Sequence, residues 1–302
     1  MKLKLAQNKR VTGKEQYYTP SDTALNLTVQ MLKYAPKGAT WLEPAGGTGQ
    51  FVEAMVHNGI EKIVSYDIEP HHDLVQKTND FLTEDLSHLS HCVTLTNPPF
   101  GRANKLSVPF FNKCAGVSDY IGFLVPKSWR KWSVINRLNL NFHLVYDEEL
   151  LIDFIYNNED EKRKGNLATV FQIWERRSEM RDKITVSDHK YITKTTPQLA
   201  DVSLTVFGRG CGTVKTEFPR VSNTTQMFLK LNADWVLDAL KTVDFARFCN
   251  NVAFIQALSI QEINYLLNEY ADAYVPVEKL AHPHAQEAQY CHGSILPAER
   301  SL

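Results

Sequence analysis

Ala39-Thr40-Trp41-Leu42-Glu43-Pro44-Ala45-Gly46-Gly47-Thr48-Gly49-Gln50-Phe51 reads as a short strand, a glycine-rich turn and the start of a helix. Phe51, Ala54 and Met55 give that helix one apolar stripe, and Gly59 closes it. Gly47 and Gly49 allow a sharp turn and a close approach of backbone to ligand. The spacing departs from G-x-G-x-x-G. The next strand, Lys62 to Tyr66, ends in Asp67, about twenty residues beyond the loop, where an acid can hold ribose hydroxyls. Strand, glycine loop, helix, strand and acid, in that order, predict an α/β fold with a nucleoside site. A plain α/β turn would need the glycines alone.

Upstream, Glu15-Gln16-Tyr17-Tyr18-Thr19-Pro20 leads into a helix that begins at Pro20 and Ser21, with Leu25, Val29 and Leu32 at i, i+4 and i+7. Tyr17 and Tyr18 either pack that helix onto the core or face the site. Downstream, the apolar run Cys92 to Thr96 ends in Asn97-Pro98-Pro99-Phe100, followed by Gly101. The Asn97 side-chain carbonyl can accept one hydrogen of a planar amine. Pro98, whose nitrogen carries no hydrogen, leaves a backbone carbonyl to accept the other. Two acceptors on one exocyclic amine draw its lone pair out of conjugation and make the nitrogen a nucleophile. Phe100 offers a stacking face, worth roughly 1–3 kcal/mol per base in nucleic-acid sites. The prolines stiffen the loop in advance, although Asn-Pro-Pro is also an ordinary rigid turn.

Beyond Phe100, residues 105–115 have helical spacing, and Tyr120 to Val125 is an apolar run, ended by Pro126, that fits a central parallel strand. Lys127-Ser128-Trp129-Arg130-Lys131-Trp132 interleaves bases with aromatics at the carboxyl end of that strand, where open α/β sheets carry their sites. The stretch suits phosphate and base contacts through Lys127, Trp129 and Arg130, or equally the solvated first turns of a helix. Residues 140–156 and 167–175 read as closing strands, joined by the charged turn Asn157 to Gly165. From Ser178 the composition changes. Residues 183–231 are rich in Thr and Val around Gly208-Arg209-Gly210-Cys211-Gly212, a hairpin with a mobile, basic glycine tip. Residues 234–270 return to helical spacing, with a Ser259/Glu262 capping box ahead of the stripe Ile263, Leu266, Leu267 and Tyr270. Two domains are expected, residues 1–177 and 178–302.

At 302 residues, 43% hydrophobic and 22% charged, the chain can bury one good core and a second smaller one. No apolar run approaches the roughly 18–20 residues that span a bilayer, and the Lys-rich start carries no apolar segment behind it. Cytoplasmic residence without membrane contact is expected. Cys92, Cys114, Cys211, Cys249 and Cys291 are scattered singles, which suit reduced thiols better than a disulfide frame or a zinc site. His282, His284, Cys291 and His292 fall in a polar tail expected to be flexible, and no metal is expected. Net charge is −1, so a nucleic-acid partner would need positive charge gathered locally.

The set Tyr18-Thr19-Pro20, Leu42 to Gly49, Tyr66-Asp67-Ile68-Glu69-Pro70, Asn79-Asp80-Phe81-Leu82 and Asn97-Pro98-Pro99-Phe100 resembles the S-adenosylmethionine-dependent amino-methyltransferases. It is most similar to the DNA adenine-N6 methyltransferases with the γ order of motifs, over roughly residues 15–175. The resemblance implies a class I Rossmann-like sheet with S-adenosyl-L-methionine as cofactor. Thr19 and Pro20, beside Tyr18, would contact its methionine end. Glu43, Pro44, Ala45, Gly47 and Gly49 would form its floor, Asp67 and Ile68 would meet the ribose, and Asp80 and Phe81 the adenine. It implies Asn97, Pro98, Pro99 and Phe100 as the catalytic tetrad, with Phe154 as a second aromatic wall in preference to Tyr156. The smaller C-terminal region stands where the family places target recognition, with Arg209 at its glycine tip as the expected contact, or is equally a structural appendage. Ala45-Gly46-Gly47 departs from the Ser-Ala-Gly of many relatives, and the extra glycine is expected to loosen the loop. The implied substrate is double-stranded DNA with the target adenine flipped out, and a restriction nuclease partner is compatible with it. RNA adenine, a protein glutamine, or nucleic-acid binding without catalysis remain the alternatives.

Overall fold

The computed structural model describes residues 17–156, 162–252, 255–276 and 280. The chain divides into two compact units, the first formed by 1–129 and 133–182, the second by 130–132 and 183–302.

In the first unit, α1 (Ser21–Leu32), β1 (Trp41–Glu43), α2 (Gln50–His57), β2 (Ile63–Asp67) and β3 (Gln76–Lys77) precede β4 (Cys92–Thr96), α3 (Ser107–Cys114) and β5 (Ser118–Pro126). A short helix α4 (Trp132–Ile135) leads to the long hairpin β6 (Phe142–Tyr156) and β7 (Lys162–Arg176). Seven strands form one sheet in the order β3-β2-β1-β4-β5-β7-β6. The strands from β3 to β5 pair in parallel, whereas β7 runs antiparallel to both β5 and β6. Strands buried on both faces read as continuous apolar runs, and β4 is buried at all five positions. Chain order reverses between β1 and β4. The loops leaving their carboxyl ends therefore flank a crevice, the place where open α/β sheets bind ligands.

Helix α1 buries Ala24, Leu27, Thr28 and Met31, and leaves Val29 and Leu32 exposed. The expected stripe of Leu25, Val29 and Leu32 is thus one face off. Small Ala24 and polar Thr28 conceal the real one, because the Thr28 hydroxyl is satisfied by the Ala24 carbonyl at 2.8 Å and can be buried. In α2 the expected residues Phe51, Ala54 and Met55 are buried.

Trp129 is wholly buried, ring to ring with Phe111 and Phe123, and its Nε1 donates to Ser107 Oγ at 3.1 Å. It belongs to the core and offers no face to a base. Lys127 is mostly covered and pairs with Glu149 at 2.6 Å. The aromatic and basic pattern here reflects packing and internal pairing, which correct the expectation of a phosphate-gripping run at Lys127 and Trp129.

The second unit contains a four-stranded antiparallel sheet, β10-β9-β11-β8, built from β8 (Ile192–Lys194), β9 (Val202–Thr205), β10 (Val214–Lys215) and β11 (Gln226–Leu231). Helices α5 (Val236–Thr242), α6 (Ala246–Cys249) and α7 (Ile260–Tyr274) complete it, and Ile192, Val202, Leu229, Leu240, Ile263 and Leu267 share its core. The Ser259/Glu262 capping box of α7 forms as expected. Glu262 also accepts from Lys131 Nζ at 2.7 Å, and the same ammonium donates to the Phe248 and Ala257 carbonyls. Trp132 packs edge-on against Phe248 and Tyr265. The β9–β10 hairpin carries Arg209 exposed at its tip, yet the loop is stitched down rather than mobile. Gly208 N donates to the Gln256 carbonyl and Leu258 N to the Val206 carbonyl, each at 2.9 Å, and Cys211 and Cys249 bring their sulfurs to 2.9 Å. Among the described residues no helix is long and apolar enough to cross a membrane, and no cluster of metal ligands occurs. The histidine-bearing tail lies outside the described residues.

Candidate active site

The crevice between the β1 and β4 loops holds a cavity of 380 Å³, inside the range of small-molecule and cofactor pockets. Its floor is the turn from Pro44 to Thr48, which reaches α2 through Gly49. Gly47 and Gly49 sit at φ 48° and 82°, a region where side chains are strained. At Gly46 a Cβ would stand 2.4 Å from Ser65 Oγ and 2.8 Å from Val75 Cγ2. The third glycine therefore does not loosen the loop as expected. It lets the loop lie flat on β2, where Gly46 N donates to the Tyr66 carbonyl at 2.9 Å.

Asp67, at the end of β2, fixes the loop from the side. Its Oδ2 accepts from Gly47 N and its Oδ1 from Glu69 N, both at 2.8 Å. Each oxygen keeps further acceptor capacity toward a ligand. Glu43 lies beneath the floor rather than in the cavity wall. It is 1% exposed, and its Oε1 accepts from Ala45 N at 2.9 Å and from the Thr96 hydroxyl. Burial pushes its carboxyl up to about 8, against those two hydrogen bonds, and Oε2 is buried with no partner. Burial also raises the Tyr18 phenol, with Asp67 and Glu69 adding to the effect.

Opposite the floor, Tyr18, Thr19, Ile68, Asp80 and Phe81 line the cavity, as do Asn97, Pro98 and Pro99. Asp80 caps the turn Phe81–Thr83 by accepting from Leu82 N at 2.9 Å. Phe81 is 1% exposed and packs on Phe110 and Tyr66, so its ring is held rigidly where it lines the cavity. Pro20 is the N-cap of α1 and is not in the lining. Asn79, which opens the motif Asn79-Asp80-Phe81-Leu82, also lines the cavity, as do Thr78, Leu106 and Phe110, which the sequence reading missed. Leu106 and Phe110, four apart at the start of the helix after the tetrad, carried a readable signal.

The tetrad leaves β4 directly. Asn97 Nδ2 donates to the Tyr17 carbonyl at 2.7 Å and to Thr19 Oγ1 at 3.1 Å. Carbonyls only accept, so these bonds set which end of the amide is which. The other end, Oδ1, is buried and has no donor. Phe100 and Phe154, expected as walls of the site, are both buried and outside the cavity lining; their rings come together around Tyr17, although they stand 54 residues apart in sequence. Arg130 and Arg209 are grouped with the second unit and lie outside this cavity.

No protein-family model matches the sequence, and no curated protein matches it. Solved structures similar in shape include a Pyrococcus horikoshii protein proposed to be an RNA methyltransferase, at 14% identity and TM-score 0.45, over 56% of this chain and 90% of that one. The M protein of the type I restriction enzyme EcoKI is similar at 16% identity and TM-score 0.43, over 56% of this chain and 46% of that one. A modification subunit of a proposed type I restriction enzyme from Vibrio vulnificus YJ016 follows at 18% and 0.39, with 56% and 46% covered. At these identities and scores they are similarities of shape that carry nothing further. The chain's own strand order, parallel but for the reversed β7, makes the first unit a class I Rossmann-like methyltransferase sheet.

Proposed function

We propose that the chain is an S-adenosyl-L-methionine-dependent methyltransferase acting on the N6 amine of adenine in double-stranded DNA, with the target base flipped out of the helix. The observation that carries this reading is the Asn97 amide. Its nitrogen is held by Tyr17 and Thr19, and its oxygen is buried without a donor in a residue that lines the crevice. Buried acceptors in folded proteins nearly always have a partner. A substrate amine is the donor this one suits.

The residues present fit the cofactor. The glycine turn is a cradle that side chains would fill, and the buried Glu43 carboxyl beneath it braces the turn through Ala45 N. Asp67 would take ribose hydroxyls, and the loop of Asp80 and Phe81 the adenine. When bound, S-adenosylmethionine supplies a methyl on a positively charged sulfur and leaves as S-adenosylhomocysteine. Asn97 orients the acceptor amine and draws its lone pair toward the methyl. It does not titrate, and the proton of the methylated amine passes to water. Catalysis is then positioning and electrostatics. Flipping the base costs a few kcal/mol of lost stacking, and the Phe100 and Phe154 walls offset it. Two aromatic walls favour a ring over the acyclic amide of glutamine.

Residues 178–302 are assigned to target recognition, with Arg209 as a phosphate contact and Arg130 as a further basic contact. A restriction nuclease partner and a cytoplasmic site of action accord with such an enzyme. The test is transfer of labelled methyl to DNA, RNA or peptide, followed by digestion of the product. N6-methyladenine from DNA supports the reading, and label only in RNA or glutamine replaces it.

A further inference from the structure

The ring of Tyr17 touches both of the aromatic rings assigned to the acceptor. It stacks on Phe100 with centroids 5.8 Å apart and planes 26° from parallel, and it meets Phe154 edge to face at 5.9 Å and 76°. Phe100 and Phe154 are both buried. The main chain of the same residue accepts from Asn97 Nδ2. Ring and backbone of Tyr17 thus cover both aromatic walls and one end of the amide, and the amide oxygen at the other end is out of contact with solvent.

We infer that Tyr17 is a specificity-determining residue: it fills the acceptor slot until a flat heteroaromatic amine displaces it. The inference rests on the methyltransferase reading of the site. Displacing Tyr17 gives up one stacked and one edge-to-face contact. An incoming nucleobase restores contact with both walls as its amine reaches Asn97 Oδ1. A glutamine side chain brings the same amine without a ring, and leaves Phe100 and Phe154 uncovered. Selection between the two acceptors then precedes chemistry, because only the open fraction of the protein binds acceptor, and apparent affinity falls in proportion to that fraction. Aromatic pairs of this kind are worth about 2–10-fold each in an equilibrium, so the two together hold the slot closed by about 5–100-fold.

Two measurements on the full chain test this. The first compares acceptor KM and kcat for duplex DNA in the unmodified protein, Tyr17→Phe and Tyr17→Ala. Tyr17→Phe keeps the ring and should keep KM. Tyr17→Ala should lower KM by about 5–100-fold without a matching gain in kcat. An unchanged or raised KM in Tyr17→Ala overturns the proposal. The second requires no turnover and no alanine variant. With 3-fluorotyrosine incorporated and S-adenosylhomocysteine saturating, the ¹⁹F resonance absent from Tyr17→Phe reports the ring itself. Adenosine should shift it, and propionamide at the same concentration should not. A resonance moved by both, or by neither, overturns the proposal. If no macromolecule is methylated, the functional reading fails while the fluorine shift still decides the role of Tyr17.

Discussion

Asn97 Nδ2 and the Tyr17 carbonyl are 2.7 Å apart, although 80 residues separate them in sequence. This bond joins the segment ahead of α1 to the loop leaving β4, and it fixes the direction in which the Asn97 oxygen points. The proposed acceptor end of the site is therefore assembled from two distant pieces of chain. The proposed donor end is built locally from β1, β2 and the turn between β1 and α2.

Asp67→Ala removes two accepted hydrogen bonds, from Gly47 N and Glu69 N, as well as the group assigned to the ribose. Affinity for S-adenosylhomocysteine should fall by roughly 1.5–3 kcal/mol, the range of hydrogen bonds to charged groups. Calorimetry reads it, and equal affinity in the two proteins would take Asp67 out of the site.

Gly46→Ala places a methyl against Ser65 Oγ and Val75, and the loop must lift off β2 to accept it. Overpacking of this kind costs about 1–3 kcal/mol. Both thermal stability and donor affinity should drop together. Stability lost with donor affinity intact would mean that the loop's seat on β2 does not shape the donor site.

Glu43 predicts a pH dependence with a definite sign. Its carboxyl is raised from 4.5 to about 8 by burial. Between those values the folded protein holds a proton that the unfolded chain has released, so stability from this group is greatest below about 4.5 and falls as pH rises toward about 8. Glu43→Gln removes that slope. Its Tm should gain on the unmodified protein through this window, by at most about 2–4 °C for each kcal/mol gained at pH 8.5. Parallel Tm curves from pH 5 to 9 would show that Glu43 does not hold a proton there.

Arg209 stands exposed on a tip whose backbone is tied to Gln256, flanked by Gly208 and Gly210 at φ 88° and 83°. Arg209→Ala should weaken DNA binding for all sequences alike and reduce the salt slope by about one, with donor affinity untouched. A change in methylation profile at one target position, with the slope intact, would instead make it a base contact.

The crevice was legible because its signals are local. Gly47 and Gly49, an acid at the end of the next strand and a stiff Asn-Pro-Pro turn each constrain the backbone within a few residues, whereas Gly46, expected to loosen the loop, seats it on β2. Other features depend on partners far along the chain. Lys131 meets Glu262 across 131 residues, Trp129 meets Ser107 across 22, and nothing adjacent distinguishes them from solvated bases and stacking aromatics. The stripe of α1 was misplaced because Thr28 hides its hydroxyl in the helix. Tyr17 could be seen as an aromatic before a helix, but its position between Phe100 and Phe154 exists only once the sheet has formed.

The central claim is that the Asn97 oxygen receives an adenine amine. Labelled S-adenosylmethionine is mixed with random-sequence duplex DNA and either the unmodified protein or Asn97→Ala, and the DNA is digested to nucleosides. Label in N6-methyl-2′-deoxyadenosine is expected for the unmodified protein, with near-complete loss for Asn97→Ala at unchanged donor affinity. Near-normal N6-methyl-2′-deoxyadenosine formation by Asn97→Ala would contradict it.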